Sequence, residues 1–503
     1  MKLAAAGQAG LVSRRLAGVH DPVELHAKLR DPMLFRRTNG RSLLLVDSAL
    51  RLEARRGEAK LTAASEGGAI LLDRIADELA EYVVERSERA VKLRFERCDD
   101  PDETVRERAT TALNVLRAML SCMSPIDKDE PFAIAALGVV GFDHIDMIEE
   151  LPERAAGDFP DLIFDLAETL VVVEPGGAAR VLAMAVGSDD PAEAHRQHCL
   201  AAERLQLTVE RCEAKVPAPA PTLAEKGATT PDLEDRQFAN IVNRLKEHIA
   251  AGDIFQAVPS RTFRAPCPDH AAAFRRLVQA DPSAYQFLFD SGHGTLFGAS
   301  PETAVEIRRE GPRHIVSVSP IAGTRPRGIT ADEDSRNEAE LRIDAKEVAE
   351  HMMLVDLARN DVARISRAGT RTVPRLLAVE RFSKVMHLVS TVAGELADGK
   401  DAVDAIRACL NVGTLSGAPK LKAIELIRAF ERTARGPYGG AIGWIAGDGS
   451  MDSAVVIRSA LVRDAVAEVR TGAGVVADSD PLAEAAETRA KAGAVLAALG
   501  AAA

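Results

Sequence analysis

The sequence predicts an α+β fold, or an α/β layered one, from two features of its residue pattern. Strand-like runs and helical patterns follow one another in mixed order along the whole chain. Several strand-like runs are apolar without alternation, as in Ala454–Val462 (AVVIRSALV), which is typical of strands covered on both faces. Together these features favour layers of sheet and helix over a simple doubly wound sheet.

The first elements along the chain are predicted from short apolar runs. Ser42–Val46, Ala133–Val140 and Leu170–Val173 read as strands, and the pattern over Ile70–Ser87 predicts a helix. The polar motifs of this part do not converge on any recognisable chemistry.

A segment without periodicity then divides the chain. It begins VPAPAPTLAEKGATTPD, is rich in Pro, Ala and Thr, and predicts a linker over 216–235. We therefore predict an N-terminal region over 1–215 and a second region over 236–503, which holds almost every informative residue.

The second region carries two predicted helices and two neighbouring strands. Apolar positions spaced three and four apart predict a helix over Asp344–Ser366. Asp480 as N-cap, followed by proline at the first helical position, predicts a last helix that ends at Gly500. Ala454–Val462 and Ala467–Val476 are predicted to lie side by side.

Composition excludes several classes of protein. The net charge is −12 and basic residues are scattered, which argues against a nucleic-acid or anionic-membrane partner. The 6 cysteines lie far apart without a CxxC pair, as expected of reduced thiols rather than disulfides or a zinc site. The N-terminus is too weakly apolar for a secretory signal. No apolar run reaches the length of about 18 residues that a membrane span needs. A cytoplasmic protein is expected.

Two Glu-x-x-Glu pairs lie on the two predicted helices. Glu347 and Glu350 share one face of the first helix, and Glu484 and Glu487 share one face of the last. The four carboxylates could converge on a hard dication such as Mg²⁺, which prefers oxygen ligands. Such pairs are usually solvated, so spacing alone favours the surface interpretation.

Three further features are open to two interpretations each. Arg458 interrupts an apolar run, so its charge either reaches solvent at a sheet edge or meets a buried anion such as a carboxylate. The stretch Gly472–Gly474 could form a β-bulge or let a ligand approach backbone N–H groups. His387, in VMHLVS, is either a satisfied core histidine or an acid or base near neutral pH.

A set of long motifs carries a resemblance to a known enzyme family. They follow one another through the second region without large gaps, and a looser match, SLLLVDSAL, lies in the first region. The motifs are GDIFQAVPSRTF, FGASPE, PIAGTRPRG, DAKEVAEHMMLVDLARND, VMHLVSTVAGEL, GTLSGAPK, GPYGGAIGW, RTGAG and AEAAETRAKA. On these motifs the chain resembles the chorismate-utilising enzymes, and most closely the large component of anthranilate synthases. The resemblance implies large β-sheets packed face to face and flanked by helices.

The resemblance also implies a role for individual residues. Glu350 and Glu487 would ligate Mg²⁺, supported by Glu347 and Glu484, and the metal would hold the ring carboxylate of chorismate. The pyruvyl carboxylate would be bound by Arg458 and Tyr438 together with backbone N–H groups of Gly472, Ala473 and Gly474. The ring would be lined by Gly323 and Thr324. Catalysis would fall to Glu302 as the acid for the leaving hydroxyl and to His387 in the loss of pyruvate.

Two positions imply that ammonia is the nucleophile. Gln256 stands where water-adding relatives carry a lysine, and a neutral amide cannot deprotonate water. Ala322 stands where aminodeoxychorismate synthases carry a lysine that can attack the ring. The resemblance thus implies conversion of chorismate to anthranilate and pyruvate through 2-amino-2-deoxyisochorismate. Because no Cys-His-Glu amidotransferase region is found, a separate glutamine amidotransferase subunit, in a heterodimer or heterotetramer, is expected to supply the ammonia.

The expected regulation differs from that of feedback-inhibited members. Those carry an LLES-like motif and an NPSPYMF stretch that hold tryptophan, whereas this chain has MLFRRT (Met33–Thr38) and DPSAYQF (Asp281–Phe287). Arg36 or Arg37 brings positive charge where the pattern has a carboxylate. Weak or absent inhibition by tryptophan is therefore expected, which suits a specialised pathway as well as tryptophan biosynthesis.

Two alternative functions stay open from the sequence. One is a 2-amino-2-deoxyisochorismate synthase, which stops before pyruvate elimination and shares these motifs. The other is an inactive effector-binding or scaffolding relative, which the intact set of Glu350, Glu487, His387 and Arg458 disfavours.

Overall fold

The computed structural model of the protein describes residues 3–29, 32–215, 227–381 and 385–501. These residues form twelve α-helices and twenty-five β-strands. The helices are α1 (Pro22–Lys28), α2 (Glu66–Glu78), α3 (Glu103–Arg108), α4 (Leu113–Ser121), α5 (Pro191–Glu213), α6 (Asp235–Ala251), α7 (His270–Ala280), α8 (Ala331–Ile343), α9 (Ala345–Ala363), α10 (Ala402–Cys409), α11 (Lys420–Phe430) and α12 (Pro481–Leu499). The strands are β1 (Gln8–Arg15), β2 (Met33–Arg37), β3 (Ser42–Arg55), β4 (Glu58–Ala63), β5 (Val83–Arg86), β6 (Ala90–Arg94), β7 (Ser124–Pro125), β8 (Ala135–Val140), β9 (Leu162–Val173), β10 (Ala179–Val186), β11 (Thr230–Pro231), β12 (Gln256–Ala257), β13 (Ser260–Pro266), β14 (Tyr285–Asp290), β15 (Thr295–Ser300), β16 (Thr303–Glu310), β17 (Arg313–Val318), β18 (Ile321–Pro326), β19 (Thr372–Arg381), β20 (Val385–Glu395), β21 (Gly417–Ala418), β22 (Ala441–Ala446), β23 (Met451–Val455), β24 (Ser459–Arg463) and β25 (Val466–Gly472).

The strands form two large sheets that share the long strands β3 and β9. The first sheet has the order β7-β1-β10-β9-β3-β2-β14-β15-β24-β25-β13-β11. The second has the order β5-β6-β4-β3-β9-β8-β22-β23-β16-β17-β20, with β18 and β19 also paired to β20. Register shifts between Leu45 and Leu50 lie where β3 passes from one sheet to the other. The short strands β12 and β21 pair with each other.

The cores lie between the sheets and under the helices. Phe35 and Phe287 of the first sheet and Trp444 of the second belong to one buried cluster between the two inner faces. Helices α1, α5, α7 and α12 cover the outer face of the first sheet, and α2, α4, α9 and α10 cover that of the second. Burying one such aromatic side chain contributes about 1.5–3 kcal/mol. The predicted layered α+β fold, with sheets packed face to face, is confirmed.

The N-terminal and C-terminal parts of the chain contribute to the same sheets. Strand β2 pairs with β14, and β8 pairs with β22. Within the predicted linker, 216–226 lie outside the described residues, and Thr230–Pro231 pairs with β13. The regional boundaries over 1–215 and 236–503 stay a prediction.

Two predictions of local structure are wrong in part. The helix predicted over Ile70–Ser87 ends at Glu78, and its last residues form β5, whose apolar Val83 and Val84 suit a strand paired with β6. The single strand predicted over Ala454–Val462 is two strands, β23 in the second sheet and β24 in the first.

A small hydrophobic cluster supports the β20 end of the second sheet. Helix α8 and strands β18–β20 share a hydrophobic cluster with only three fully buried members, Leu341, Met386 and Leu388. Ion pairs add to it, including Arg327 to Asp334 at 2.7 Å. None of the helices among the described residues is long and apolar enough to cross a membrane.

Candidate active site

One large cavity lies where α9, α12 and the edges of both sheets meet. Its volume is about 1040 Å³, and every residue predicted to act in binding or catalysis lines it except Ala473. The predicted residues on its wall are Gln256, Glu302, Gly323, Thr324, Glu347, Glu350, His387, Tyr438, Arg458, Gly472, Gly474, Glu484 and Glu487. Ala322 also lines it, at the position discussed for covalent attack.

Arg458 lies at the point where the chain crosses between the two sheets. Its φ of 50° is in the left-handed region, which side chains other than glycine rarely adopt. Burial lowers the pKa of Arg458, and Asp281, Tyr438 and Glu487 oppose this shift through electrostatic attraction. Since a guanidinium stays charged in proteins, this half-buried cation favours an anionic ligand in the cavity.

Beside Arg458 the cavity wall includes Gly472, where there is no room for a side chain. A Cβ at Gly472 would lie 2.6 Å from the Pro259 carbonyl oxygen and 3.0 Å from the Tyr438 hydroxyl oxygen. Burial raises the pKa of Tyr438 to about 12, so its phenol stays protonated and can donate to a carboxylate.

The Ala473 N–H group, predicted to help bind the pyruvyl carboxylate, has a backbone partner in this structure. That N–H donates to the Pro259 carbonyl oxygen at 3.2 Å, and the fully buried side chain packs against a hydrophobic core. Gly474 does line the cavity, and a Cβ there would lie 2.9 Å from Nε2 of Gln256. Oε1 of Gln256 is buried without a hydrogen-bond partner among the described residues, so it can accept from a small donor.

His387, on β20, also lines the cavity. Its Nδ1 is 3.0 Å from the Gly323 carbonyl oxygen and 3.1 Å from Oγ1 of Thr324. A carbonyl oxygen only accepts, so Nδ1 carries the proton and Nε2 is the basic nitrogen of the neutral ring. Burial lowers the pKa of His387, and Arg458 lowers it further. The ring is therefore neutral at pH 7 and can take up a proton.

Gly323 occupies a bulge in β18 that brings its carbonyl to His387. Its φ is 73°, and the register between β18 and β20 shifts at this residue. A Cβ there would lie 3.2 Å from both Leu341 Cδ1 and Leu388 Cδ1. Glycine is thus needed both for the backbone conformation and for the packing of this wall.

Replacing Gly323 by Ala is expected to destabilise the fold by about 1–2 kcal/mol and to lower activity. The reason is that the bulge would shift and move the partner of His387. Chemical denaturation and steady-state kinetics measure the two effects. Gly311→Ala is the matched control, because φ is 62° there and nothing lies within 4 Å of the added Cβ. Equal activity of the two variants would contradict this role of Gly323.

Glu302 is a buried carboxyl group between β15 and β16. Its Oε1 accepts a hydrogen bond from Oγ1 of Thr414 at 2.7 Å, and its backbone carbonyl accepts from Val455 N at 3.0 Å. Burial raises the pKa of Glu302 to about 7, against the hydrogen bond from Thr414, which lowers it. A carboxyl group with this pKa can donate a proton at neutral pH, as predicted for the acid.

On α9 the two predicted metal-binding glutamates are held differently. Oε1 of Glu347 accepts from Nη1 of Arg325 at 3.2 Å. Oε1 of Glu350 is 3.8 Å from Nζ of Lys346 and is buried without a hydrogen-bond partner in the described part of the chain. Burial raises the pKa of Glu350, and the neighbouring carboxylates Glu347 and Glu487 raise it further against Lys346.

On α12, too, one predicted metal-binding glutamate has a basic partner and the other has a raised pKa. Glu487 pairs with Nζ of Lys491 at 2.7 Å, and the same Nζ donates to the Gly472 carbonyl oxygen at 3.0 Å. Burial raises the pKa of Glu484 to about 7, and the charge of Glu487 adds to the shift. Burial acts on Glu487 in the same direction, but Lys491 and Glu484 outweigh it and hold the pKa of Glu487 below its ordinary value.

Comparison with known proteins agrees with this geometry. Residues 73–497 match the family described as chorismate binding enzymes. The chain belongs to this family. It is 44% identical to anthranilate synthase component 1 of Vibrio cholerae over 92% of this chain and 88% of that protein. It is also 44% identical to the pyocyanine-specific anthranilate synthase component 1 of Pseudomonas aeruginosa, over 92% of this chain and 87% of that protein.

Solved structures share the architecture of this chorismate-binding enzyme. Anthranilate synthase component I from Streptococcus pneumoniae superposes with a TM-score of 0.67 at 27% identity, covering 95% of this chain and 98% of that one. The menaquinone-specific isochorismate synthase of Escherichia coli gives a TM-score of 0.67 at 17% identity, covering 99% of this chain and 96% of that one. The second match shows the fold alone.

The four glutamates that line the cavity have the type of donor atom that a hard dication prefers. Four glutamates on two helices offer only oxygen donors, the ligands that Mg²⁺ prefers. Oε1 of Glu350 and Oε2 of Glu484 are buried without hydrogen-bond partners among the described residues, which is unfavourable unless a ligand satisfies them. The described residues nevertheless contain no preassembled group of three or more metal-binding side chains. The glutamates would therefore have to turn toward a bound ion.

Sequence reasoning missed three polar residues of the site. Thr414, in GTLSGAPK, lies in a segment that reads as an ordinary turn. Lys491 follows Glu487 by four residues, a spacing that predicts a helical ion pair. Arg325 gave no signal of its own, because its partner Glu347 lies on another element.

Proposed function

We propose that this protein is the large subunit of an anthranilate synthase, which converts chorismate and ammonia to anthranilate and pyruvate. The observation that carries the proposal is one cavity that joins a half-buried arginine, a buried acid, a histidine and two pairs of glutamates. Relatives named anthranilate synthase component 1 at 42–44% identity support the same activity.

The two carboxylates of chorismate would find separate partners in the cavity. Arg458 and Tyr438 would bind the pyruvyl carboxylate, with Gly472 leaving room for it. Glu350 and Glu487, supported by Glu347 and Glu484, would hold a Mg²⁺ ion. When bound, this ion would hold the ring carboxylate and stabilise negative charge as the C4 hydroxyl leaves.

The first stage would add ammonia at C2 of the ring. Ammonia forms the new C–N bond, the double bonds shift, and the C4 hydroxyl leaves as water after Glu302 donates its proton. Gln256 would accept a hydrogen bond from the ammonia without deprotonating water. The alanine at 322 offers no nucleophile of its own.

The second stage would remove pyruvate from the aminated intermediate. Nε2 of His387 would take the proton from C2 while the bond from C3 to the enolpyruvyl oxygen breaks, so that the ring becomes aromatic. The departing enolpyruvate would then take up this proton at its methylene carbon to become pyruvate, which returns His387 to its neutral form. Gly323 and Thr324 would keep the imidazole in the tautomer that this step needs. The ammonia would come from a separate glutamine amidotransferase subunit, in a heterodimer or heterotetramer.

The product profile tests the proposal directly. Purified protein would be incubated with chorismate, Mg²⁺ and excess ammonium at mildly alkaline pH, and the products identified by mass spectrometry. Anthranilate and pyruvate in equal amounts are expected. A product that retains the enolpyruvyl group would show a 2-amino-2-deoxyisochorismate synthase instead. No consumption of chorismate would contradict both activities and leave the inactive relative.

The two segments expected to hold tryptophan in feedback-inhibited members do meet in the structure. Strand β2, from MLFRRT, pairs with β14, from DPSAYQF. Nη1 of Arg36 donates to Oε1 of Gln286 at 3.1 Å, and its Nη2 pairs with Asp21 at 3.2 Å. The space beside β2 and β14 is thus occupied by the guanidinium of Arg36, which is already bound to Gln286 and Asp21.

The neighbouring Arg37 bridges the two sheets at the same place. Its Nη1 pairs with Glu306 at 2.7 Å and with Asp452 at 2.8 Å. Its guanidinium also lies 5.4 Å from the centre of the Tyr285 ring. These contacts use carboxylates that could otherwise attract the amino group of an effector.

Tryptophan is therefore expected to inhibit this enzyme weakly or not at all. The positive charges of Arg36 and Arg37 repel the amino group of the effector, and their partners are already engaged. Initial rates over a tryptophan titration, and isothermal titration calorimetry without substrate, measure the effect. A tryptophan inhibition constant in the low micromolar range would contradict this prediction.

A further inference from the structure

We infer that Arg325 is a positioning residue that holds Glu347 in the ligand-free protein and releases this carboxylate when the dication binds. This inference rests on the proposed function, because it concerns the same metal-binding glutamates. It assigns a role to a side chain that lies just behind the cavity wall.

The contacts of Arg325 join two elements of that wall. Nη2 pairs with Oδ2 of Asp344 at 2.5 Å, and Nη1 donates to Oε1 of Glu347 at 3.2 Å. Asp344 is also the N-cap of α9, and its Oδ1 accepts from the N–H groups of Lys346 and Glu347. The guanidinium is therefore fixed to the first turn of the helix that carries the glutamates.

The same guanidinium is tied to the strand that orients the histidine. Nη1 donates to the carbonyl oxygen of Thr324 at 2.9 Å, and Oγ1 of Thr324 lies 3.1 Å from Nδ1 of His387. Arg325 thus links the carboxylate of Glu347 to the support of His387. A change at one contact is transmitted to the other through a single planar group.

The pairing with Glu347 is suited to exchange. Both side chains are 25% exposed, and partly exposed ion pairs contribute little to stability. The wall around them rests on the small cluster of Leu341, Met386 and Leu388 rather than on a large core. The second bond to Asp344 keeps the guanidinium in place after Glu347 turns away.

A dication supplies the reason for Glu347 to leave. The four glutamates line one cavity, yet no three of the metal-binding groups in the described residues are assembled. A divalent charge attracts a carboxylate more strongly than a guanidinium does at the same distance. Arg325 therefore acts as the resting partner of Glu347 and sets how readily the site accepts its metal.

Metal affinity measured without substrate tests the inference. Isothermal titration of Mg²⁺, with Mn²⁺ as a paramagnetic substitute, would compare the wild type with Arg325→Gln. The variant is expected to bind about two- to fivefold more tightly, because a partly exposed ion pair no longer competes for Glu347. Its kcat is expected to fall, since the support of His387 is loosened. Unchanged or weaker metal binding would overturn the inference.

Three further variants make the outcome specific. Arg327→Gln removes a charge from the same segment. Because Arg327 pairs with Asp334 rather than with a glutamate of the cavity, the metal affinity of this variant should equal that of the wild type. Arg325→Gln combined with Glu347→Gln should lose the gain, as a double-mutant cycle requires. If Arg325→Gln folds poorly, Arg325→Met, which also removes the charge that competes for Glu347 but keeps an unbranched side chain, should still bind Mg²⁺ more tightly.

The failure of this inference differs from the failure of the proposed function. A wild type that consumes chorismate but matches Arg325→Gln in metal affinity overturns the inference alone. A wild type that neither binds Mg²⁺ nor consumes chorismate overturns both.

Discussion

Replacing Glu302 by Gln is expected to lower kcat by about 100- to 10,000-fold, the usual contribution of a positioned general acid. The amide keeps the size of the side chain but cannot donate a proton to the leaving hydroxyl. Because burial raises the pKa of Glu302 to about 7, kcat of the wild type should fall as the pH rises through 7. Steady-state rates at saturating ammonia and chorismate measure both effects.

The pH dependence separates an acid from a merely structural carboxyl group. The fall of kcat above pH 7 should disappear in Glu302→Gln. Thr414→Val should shift this fall to higher pH, because the Thr414 hydroxyl lowers the pKa of the carboxyl group it binds. A wild-type profile that is flat above pH 7, or unchanged in Thr414→Val, would contradict the assignment.

The second large effect is expected at Arg458. Replacing it by Met should lower kcat/KM by about 30- to 5,000-fold, since truncating one partner of a buried charge pair removes about 2–5 kcal/mol of binding energy. The half-buried guanidinium lines the cavity beside Tyr438 and Gly472, where it can bind a carboxylate. Kinetics over a range of chorismate concentrations measure the loss.

The stability of Arg458→Met should not fall with its activity. The guanidinium is desolvated and its acidic neighbours act only through electrostatics, so Met should keep or raise the melting temperature. Arg463→Met is the matched control on β24, because Arg463 pairs with Asp158 at 2.9 Å outside the cavity. It should leave kcat/KM unchanged. A large loss of stability in Arg458→Met, with unchanged kcat/KM, would refute a binding role.

The sequence predicts the cavity residues well because their motifs are long and ordered. Glu350 and Glu487 lie far apart in the chain, yet both line the same cavity, as the resemblance implies. The helix that carries Glu350 follows from apolar spacing, and the helix that carries Glu487 follows from the Asp480 cap. Local chemistry determines such elements, so that they can be predicted without knowledge of the fold.

Other features depend on how distant elements meet. The apolar run around Arg458 gives no sign that the chain changes sheets there, because both strands are buried and have similar composition. The N–H group of Ala473 is taken by Pro259, a partner that only the folded chain provides. Similarly, the hydroxyl of Thr414 reaches Glu302 across 112 positions of sequence.

The sharing of strands between the two ends of the chain has a consequence for folding during synthesis. Strand β2 lacks its neighbour β14 until the ribosome has entered the second region, and β8 lacks its neighbour β22 until most of that region has been made. Until then the nascent N-terminal part presents unpaired strand edges, which are templates for aggregation. A fragment that ends near residue 215 should consequently need a chaperone or remain insoluble when produced alone, whereas the full chain closes both edges with its own strands.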